Sequence, residues 1–246
     1  MLLTHNKEKP KISVSSRIAP NAVICGDVTI GSNCSIGFGC VLVAESGPIF
    51  IGDNCIVMDT AVLRGVRDAS LTIGNNVLIG PRAYLSGCSI EDDVFLATGA
   101  TVFNQARVGK GSEVRVNGLV HLRTVLPPHS IVPIGWVAVG DPAAILPSND
   151  HDRIWSIQKP LDFPRIVFGV DRPPAGETLT LALELLRRCG QRLGVLLLEK
   201  VAHGSPNLSF ALPVLSQSRQ RACQPCRDRS FVRRHSPGLC RRDERP

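Results

Sequence analysis

The sequence lacks any apolar run that approaches the roughly 20 residues a helix needs to cross a bilayer. Its opening residues, MLLTHNK, also lack the apolar stretch of a secretory signal. These two absences predict a soluble protein without a membrane partner, and we expect it to lie in the cytoplasm.

The part of the chain before residue 173 lacks a net charge. Residues 1–172 hold 15 Lys and Arg residues against 15 Asp and Glu residues, so the formal charge of +7 comes from residues 173–246. The basic balance of the whole chain therefore says nothing about a ligand of the region that we expect to fold. We expect no nucleic-acid partner.

The sequence is rich in a six-residue repeat. Between residues 51 and 108 an aliphatic residue recurs at almost every sixth position, and a small residue usually follows four places later. The blocks read IGDNCI, VMDTAV, LRGVRD and then, after four extra residues, IGNNVL, IGPRAY, LSGCS, IEDDVF, LATGAT and VFNQAR. The frame extends upstream to Ile18 and downstream to Val132. A period of six fits neither a helix nor a simple strand, so it predicts a repeat architecture.

A short strand cannot bury its aliphatic residue alone, and stacking solves this problem. If three blocks form one turn of a triangular coil, each aliphatic residue lies over its counterpart one coil below, at the spacing of about 4.8 Å between paired strands. Gly, Asn and Asp cluster where the coil must turn with positive φ, as in Gly52-Asp53-Asn54. The sequence therefore predicts an all-β solenoid, a left-handed parallel β-helix of hexapeptide repeats, followed by a C-terminal helical segment and a disordered tail.

The frame also divides the chain. We expect a flexible lead-in over 1–11, the β-helix with a closing cap over 12–146, a linker with C-terminal helices over 147–201, and a disordered basic tail over 202–246. The repeat frame is interrupted by extra residues around 45–48 and 69–72 and by a block that is one residue short at 85–89. The composition changes at residue 173, and a change of reading frame is one hypothesis for this tail.

Three stretches give a more specific resemblance. They are GCVLVAESGPIFIGDNCIVMDTAVL, IGNNVLIGPRAYLSGCSIEDDVFLATGATV and PPHSIVPIGWVAVGDPAAIL. Over residues 18–146 the chain resembles the γ-class carbonic anhydrase-like branch of the hexapeptide-repeat proteins, including the positions of its insertions. That resemblance implies a homotrimer whose catalytic relatives hold zinc between two subunits with three histidines.

This sequence departs from the resembled family at each zinc ligand. Arg64 stands at the first histidine position, Pro81 at the second and Ser86 at the third. Two further family motifs are replaced, and they keep only a carboxylate each. They are now Val43-Ala44-Glu45 and Met58-Asp59.

These replacements predict a degenerate zinc site. Zinc takes N, S or O donors, and it serves hydration by bringing bound water to a pKa near 7. Arginine and proline supply no such donor, and serine is a poor one. We expect no bound metal and weak or no CO2 hydration, although zinc is the cofactor of catalytic relatives.

The coil count places several polar residues in one column. Val43, Arg64, Ser86 and His121 each follow an aliphatic residue of the same face. An arginine there suits a bicarbonate-like small anion in a trimer cleft. The alternative is a salt bridge between subunits from Arg64 to a nearby carboxylate. The candidate pocket residues are Val43, Glu45, Asp59, Arg64, Pro81, Arg82, Ser86 and His121.

Two other functions stay open at this point. Hexapeptide-repeat enzymes often transfer acyl groups from coenzyme A, and in that case acetyl-CoA would be the cofactor and His121 the general base. The chain would otherwise be a non-catalytic assembly protein. Whether it is an enzyme, and which residues would be catalytic, is left undecided by the sequence.

Overall fold

The computed structural model of the chain describes residues 1–67, 69–172 and 174. They form a left-handed parallel β-helix with a short helical segment after it, which confirms the predicted solenoid. Three sheets, here called faces 1, 2 and 3, are the walls of a triangular prism. Along each face the neighbouring strands are three apart in the chain, as a coil of three blocks requires, except for the last two strands of face 1, which are consecutive.

The bounds of the strands follow face by face. Face 1 contains β1 (Leu2–Leu3), β4 (Val23–Cys25), β7 (Val41–Ala44), β10 (Val62–Gly65), β13 (Tyr84–Ser86), β16 (Thr101–Val102), β19 (Leu119–Val120), β22 (Val137–Val139) and β23 (Ala144–Leu146). Face 2 contains β2 (Lys11–Ile12), β5 (Val28–Ile30), β8 (Ile49–Ile51), β11 (Leu71–Ile73), β14 (Ser89–Ile90), β17 (Arg107–Val108) and β20 (Val125–Leu126). Face 3 contains β3 (Arg17–Ile18), β6 (Ser35–Ile36), β9 (Ile56–Val57), β12 (Leu78–Ile79), β15 (Phe95–Leu96), β18 (Glu113–Val114) and β21 (Ile131–Val132).

The prism interior is built from the block aliphatic residues. On face 1, Leu42 pairs with Leu63, and Leu63 pairs with Leu85 on the next coil. All three side chains are fully buried. Burial of one such side chain stabilises the fold by about 1.5–3 kcal/mol, so the stacked aliphatic residues hold the register of the coils.

The corners between faces 2 and 3 are held by side-chain oxygens. The Oδ1 atoms of Asp53, Asn75 and Asp92 accept hydrogen bonds from backbone N–H groups one coil below, at 2.6, 2.8 and 2.7 Å. The following residues, such as Asn54 and Asn76, have a φ of 57°. The predicted corner chemistry is therefore confirmed, because Asn tolerates this conformation better than most residues.

The first residues are not a free lead-in over 1–11. Strand β1 pairs in parallel with β4, and the backbone N–H of Gly26 donates to the carbonyl of Leu3 at 3.0 Å. Strand β2 pairs with β5 on face 2. The expectation of a flexible lead-in fails because these residues add a first, short coil whose backbone groups pair with the coil above.

The end of the β-helix is closed by a hairpin. Strand β22 pairs in parallel with β19 and antiparallel with β23, so β23 covers the last open strand edge of face 1. Residues His151–Gln158 then form α1. Ile154 of α1 packs on Val139 and Leu146 of the hairpin.

The segment after α1 contains two short helical turns. Lys159–Leu161 form a 3-10 turn, and Pro164–Phe168 form one turn of π-helix. The turn ends at Gly169, which has a φ of 68°. The predicted helices and tail beyond residue 174 lie outside the described residues. No helix in the described part of the chain is long and apolar enough to cross a membrane.

Candidate functional site

The predicted column lies along one edge of face 1, where the chain turns toward face 2. Arg64 of β10 pairs with Val43 on one side and with Ser86 on the other. Phe103 and His121 follow the paired residues of the next two coils. Each of these five residues follows an aliphatic residue that points into the prism. Because side chains alternate along a strand, all five lie on the outer side of the prism wall.

Arg64 forms the charged centre of this edge. Its Nη2 is hydrogen-bonded to the Glu45 carboxylate, and its Nη1 donates to the hydroxyl oxygen of Tyr84 at 3.4 Å. Burial lowers the pKa of Arg64, but the hydrogen bond with Tyr84 and the charge of Glu45 raise it, and the net pKa lies above its ordinary value. The guanidinium therefore stays charged, and it neutralises Glu45 within the same chain.

The irregular blocks build the surroundings of Arg64. The backbone N–H of Glu45 donates to the carbonyl of Gly65 at 2.9 Å, and Val66 and Ala69 form an antiparallel bridge where the second insertion begins. A Cβ atom on Gly87 would lie 2.7 Å from Val66 and 2.8 Å from Ala69. The two insertions and the short block therefore stack at one corner, and the contraction makes room for the loop below.

The structure places three of the predicted residues elsewhere. Asp59, Pro81 and Arg82 lie in the turns that precede β10 and β13, so the length of a strand separates them from Arg64 and Ser86. The Asp59 Oδ1 atom accepts from the backbone N–H of Phe38 at 2.7 Å. Asp59 thus holds a corner of the coil below and does not pair with Arg64.

His121 is enclosed at the upper end of the column. Only 6% of the residue is exposed, and its ring lies 5.9 Å from the rings of both Phe103 and Phe163. Burial lowers the pKa of His121 to about 4, so the imidazole is neutral at pH 7. Its Nδ1 atom has no hydrogen-bond partner among the described residues.

Two contributors to this edge were not predicted as site residues. Phe163 packs edge-on against Phe103 with centroids 5.2 Å apart, although its segment carries no repeat that would indicate the contact. His5 donates from Nε2 to the carbonyl oxygen of Glu45 at 3.0 Å. The apolar character of Phe163 was a signal that it lies against the prism, but no sequence signal placed His5 beside the insertion.

The surface of face 3 is grooved and largely apolar. Grooves of about 440 and 530 Å³ run along it and share Met58 in their walls. Large apolar side chains are exposed along this face and its turns into face 1. They are Phe38, Ile56, Met58, Phe95, Val116, Ile131 and Ile134.

The chain matches known repeat profiles in two places. The bacterial transferase hexapeptide repeat matches residues 11–44, and the hexapeptide repeat of succinyl-transferase matches residues 70–104. The solved structure of a Bacillus cereus protein, named as a proposed acetyltransferase, is 28% identical with a TM-score of 0.51. The alignment covers 65% of this chain and 91% of the Bacillus cereus chain. Fold and repeats define a hexapeptide-repeat protein.

The comparison with curated proteins is more specific. A Methanocaldococcus jannaschii protein named probable carbonic anhydrase is 34% identical over 148 residues, which are 60% of this chain and 89% of that protein. Gamma carbonic anhydrase 1, mitochondrial, from Arabidopsis thaliana is 32% identical over 152 residues, or 59% of this chain. The chain spans 53% of that relative's length. The chain belongs to the γ-carbonic anhydrase-like hexapeptide-repeat proteins.

Proposed function

We propose that this chain is a γ-carbonic anhydrase-like assembly protein whose zinc chemistry has been lost. It would have weak or no CO2 hydration activity and would bind a small anion at the Arg64 edge of face 1. The observation that carries the proposal is the ion pair between Arg64 and Glu45, at the position where the family resemblance places the first zinc histidine.

The donor set at the family's ligand positions does not fit zinc. Arg64 is a charged donor that already engages Glu45, and Pro81 has no side-chain donor atom. Ser86 offers one hydroxyl, and only 1% of the residue is exposed. Within residues 1–67, 69–172 and 174 no group of three or more His, Cys, Asp and Glu side chains is arranged to hold a metal ion. These residues therefore support no reaction step through a metal.

Face 3 supports the proposed homotrimer. Its exposed apolar residues form a stripe that Glu113 interrupts between Phe95 and Ile131, and exposed apolar surface of this kind is typical of a protein interface. A second copy of the chain is the proposed occupant, because hexapeptide-repeat relatives are typically trimeric. A cytoplasmic location belongs to the same proposal.

A coenzyme A-dependent acyltransferase is the second candidate, favoured by the name of the Bacillus cereus relative. It would use His121 as the general base with acetyl-CoA as the acyl donor. The enclosure of His121 beneath Phe163 counts against it, because a general base must reach its substrate's proton within about 3 Å. Thermal stabilisation by acetyl-CoA that is lost in His121→Ala would support this candidate.

The proposal is tested by measuring CO2 hydration with the full-length protein by stopped flow. We expect a rate within about tenfold of the buffer rate at pH 8. Samples prepared with and without added zinc should behave alike, because the site lacks donors. A zinc-dependent rate typical of an enzyme would refute the proposal.

A further inference from the structure

We propose that the Arg64–Tyr84 edge of face 1 is a binding site for a small monocarboxylate or bicarbonate, and that the Glu45 side chain occupies this site in the resting protein. The inference rests on the proposed function and deepens it. It names the class of ligand, and it identifies an internal competitor that controls access to the site.

The guanidinium has the donors that such a site needs. Arg64 engages the Glu45 carboxylate through Nη2 and the Tyr84 hydroxyl through Nη1. The planar guanidinium suits a planar carboxylate, and Tyr84 contributes a neutral polar group beside it. The Arg64 side chain is 36% exposed and that of Glu45 is 23% exposed, so an anion from solvent can reach the pair.

Glu45 is presented to Arg64 by a fixed backbone. Its N–H donates to the carbonyl of Gly65 at 2.9 Å, and its own carbonyl accepts from His5 Nε2 at 3.0 Å. The carboxylate is thereby held near Arg64 at a high effective concentration. Displacement requires a rotation of the Glu45 side chain away from Arg64, and the two backbone contacts can stay in place during it.

The ligand class follows from the charge that Glu45 supplies. One carboxylate satisfies one guanidinium, so a displacing ligand needs a single negative charge and two oxygens in a plane. Formate, acetate and bicarbonate share this chemistry. Because the internal carboxylate must be displaced first, the unmodified protein should bind such anions weakly.

The chain offers a direct probe of the site, because Tyr84 is its single tyrosine. Full-length protein labelled with ¹³C at the tyrosine Cζ gives one NMR signal from a ring that contacts Arg64. Formate and bicarbonate are titrated separately, with chloride at matched ionic strength. The proteins compared are the unmodified chain, Glu45→Gln, and Glu45→Gln combined with Arg64→Met.

A matched control comes from the ion pair between Lys110 and Asp93, whose N–O distance is 3.3 Å. Asp93→Asn removes the same charge as Glu45→Gln but lies at a different corner of the prism. A general effect of net charge would therefore appear in both variants. An effect that is specific to the site would appear only in Glu45→Gln.

We expect Glu45→Gln to lower the formate Kd at least about tenfold, equivalent to ~1.4 kcal/mol, while Asp93→Asn leaves the Kd unchanged. The combined variant should lose the response. The proposal is overturned if folded Glu45→Gln titrates like the unmodified chain. It is also overturned if chloride moves the Tyr84 signal as formate does.

A second variant covers the case in which Glu45→Gln does not fold. His5→Leu leaves both charges of the pair but removes the backbone contact to Glu45, so it should also lower the formate Kd. An unchanged Kd in that variant overturns the proposal. Zinc-dependent CO2 hydration would refute the proposed function. The anion titration tests the proposed binding site independently of that result.

Discussion

The Glu45 carboxylate and the Arg64 guanidinium pair within one chain, across neighbouring coils of face 1. The sequence left open a salt bridge between subunits for the same arginine. The first insertion starts at Glu45, one residue after the strand that pairs with β10, and so delivers the carboxylate to the next coil. The pair therefore needs no second subunit to form.

The strength of this pair is measurable by a double-mutant cycle. We expect a coupling energy of about 0.5–1.5 kcal/mol between Glu45→Gln and Arg64→Met, because the pair is only partly buried and water screens it. Urea unfolding of the unmodified protein, both single variants and the double variant gives this value. If the changes in the free energy of unfolding of the two single variants add up to that of the double variant, the pair does not contribute to stability.

A second prediction concerns the aromatic contact that fastens the segment after α1. Phe163→Ala should destabilise the protein by about 2 kcal/mol, because it removes the ring that packs edge-on against Phe103. Limited proteolysis should then cut within 159–172, and His121 should become reactive to diethyl pyrocarbonate.

Phe50→Ala is the control for this change. It removes the same atoms from a face 2 side chain that is 43% exposed. It should leave the proteolysis pattern as it is. If Phe163→Ala also leaves this pattern and the reactivity of His121 unchanged, the segment is not held by the aromatic contact.

The pH dependence of stability follows from the buried imidazole. The folded pKa of His121, about 4, lies below its ordinary value of 6.5, so the unfolded chain binds more protons between these pH values. The stabilising contribution is complete above pH 6.5 and is lost as the pH falls toward 4. At pH 5 the expected loss is about 2 kcal/mol.

His121→Leu isolates this effect, since leucine is apolar and does not titrate. Urea midpoints at pH 7.5 and pH 5, measured at one protein concentration, should fall less in the variant than in the unmodified protein. Equal falls in both proteins would mean that His121 is not the titrating group.

The proposed trimer gives a fourth prediction. Phe95→Glu places a charge in the apolar stripe of face 3, and burial of an unpaired charge in an interface is costly. Light scattering after size-exclusion chromatography should show a trimer for the unmodified chain and a monomer for the variant. Phe50→Glu, on face 2, should remain a trimer, and dissociation of that variant instead would place the interface elsewhere.

The hexapeptide frame predicts the coil register well, because an aliphatic residue at every sixth position has one way to stack. It places Val43, Arg64 and Ser86 side by side on successive coils, and the strand pairing confirms this order. Positive φ at Asn54 likewise follows from the corner chemistry. These features are local or periodic, and a feature that recurs in every block can be predicted from many positions at once.

The contacts that the frame does not predict depend on single residues. Asp59 is a candidate site carboxylate by sequence, but its oxygen caps the coil below, and both roles suit the same residue type. The docking of Phe163 and the contact from His5 to Glu45 join segments outside the regular repeat. The apolar character of Phe163 indicates that it lies against the prism, but no period determines which residues such side chains contact.

Zinc content tests the central claim most directly. The unmodified chain should bind no stoichiometric zinc by plasma mass spectrometry after purification with added zinc, because Arg64, Pro81 and Ser86 supply no adequate donor set. The variant Arg64→His with Pro81→His and Ser86→His should gain zinc if the family resemblance assigns the ligand positions correctly. One tightly held zinc per chain in the unmodified protein would contradict the account.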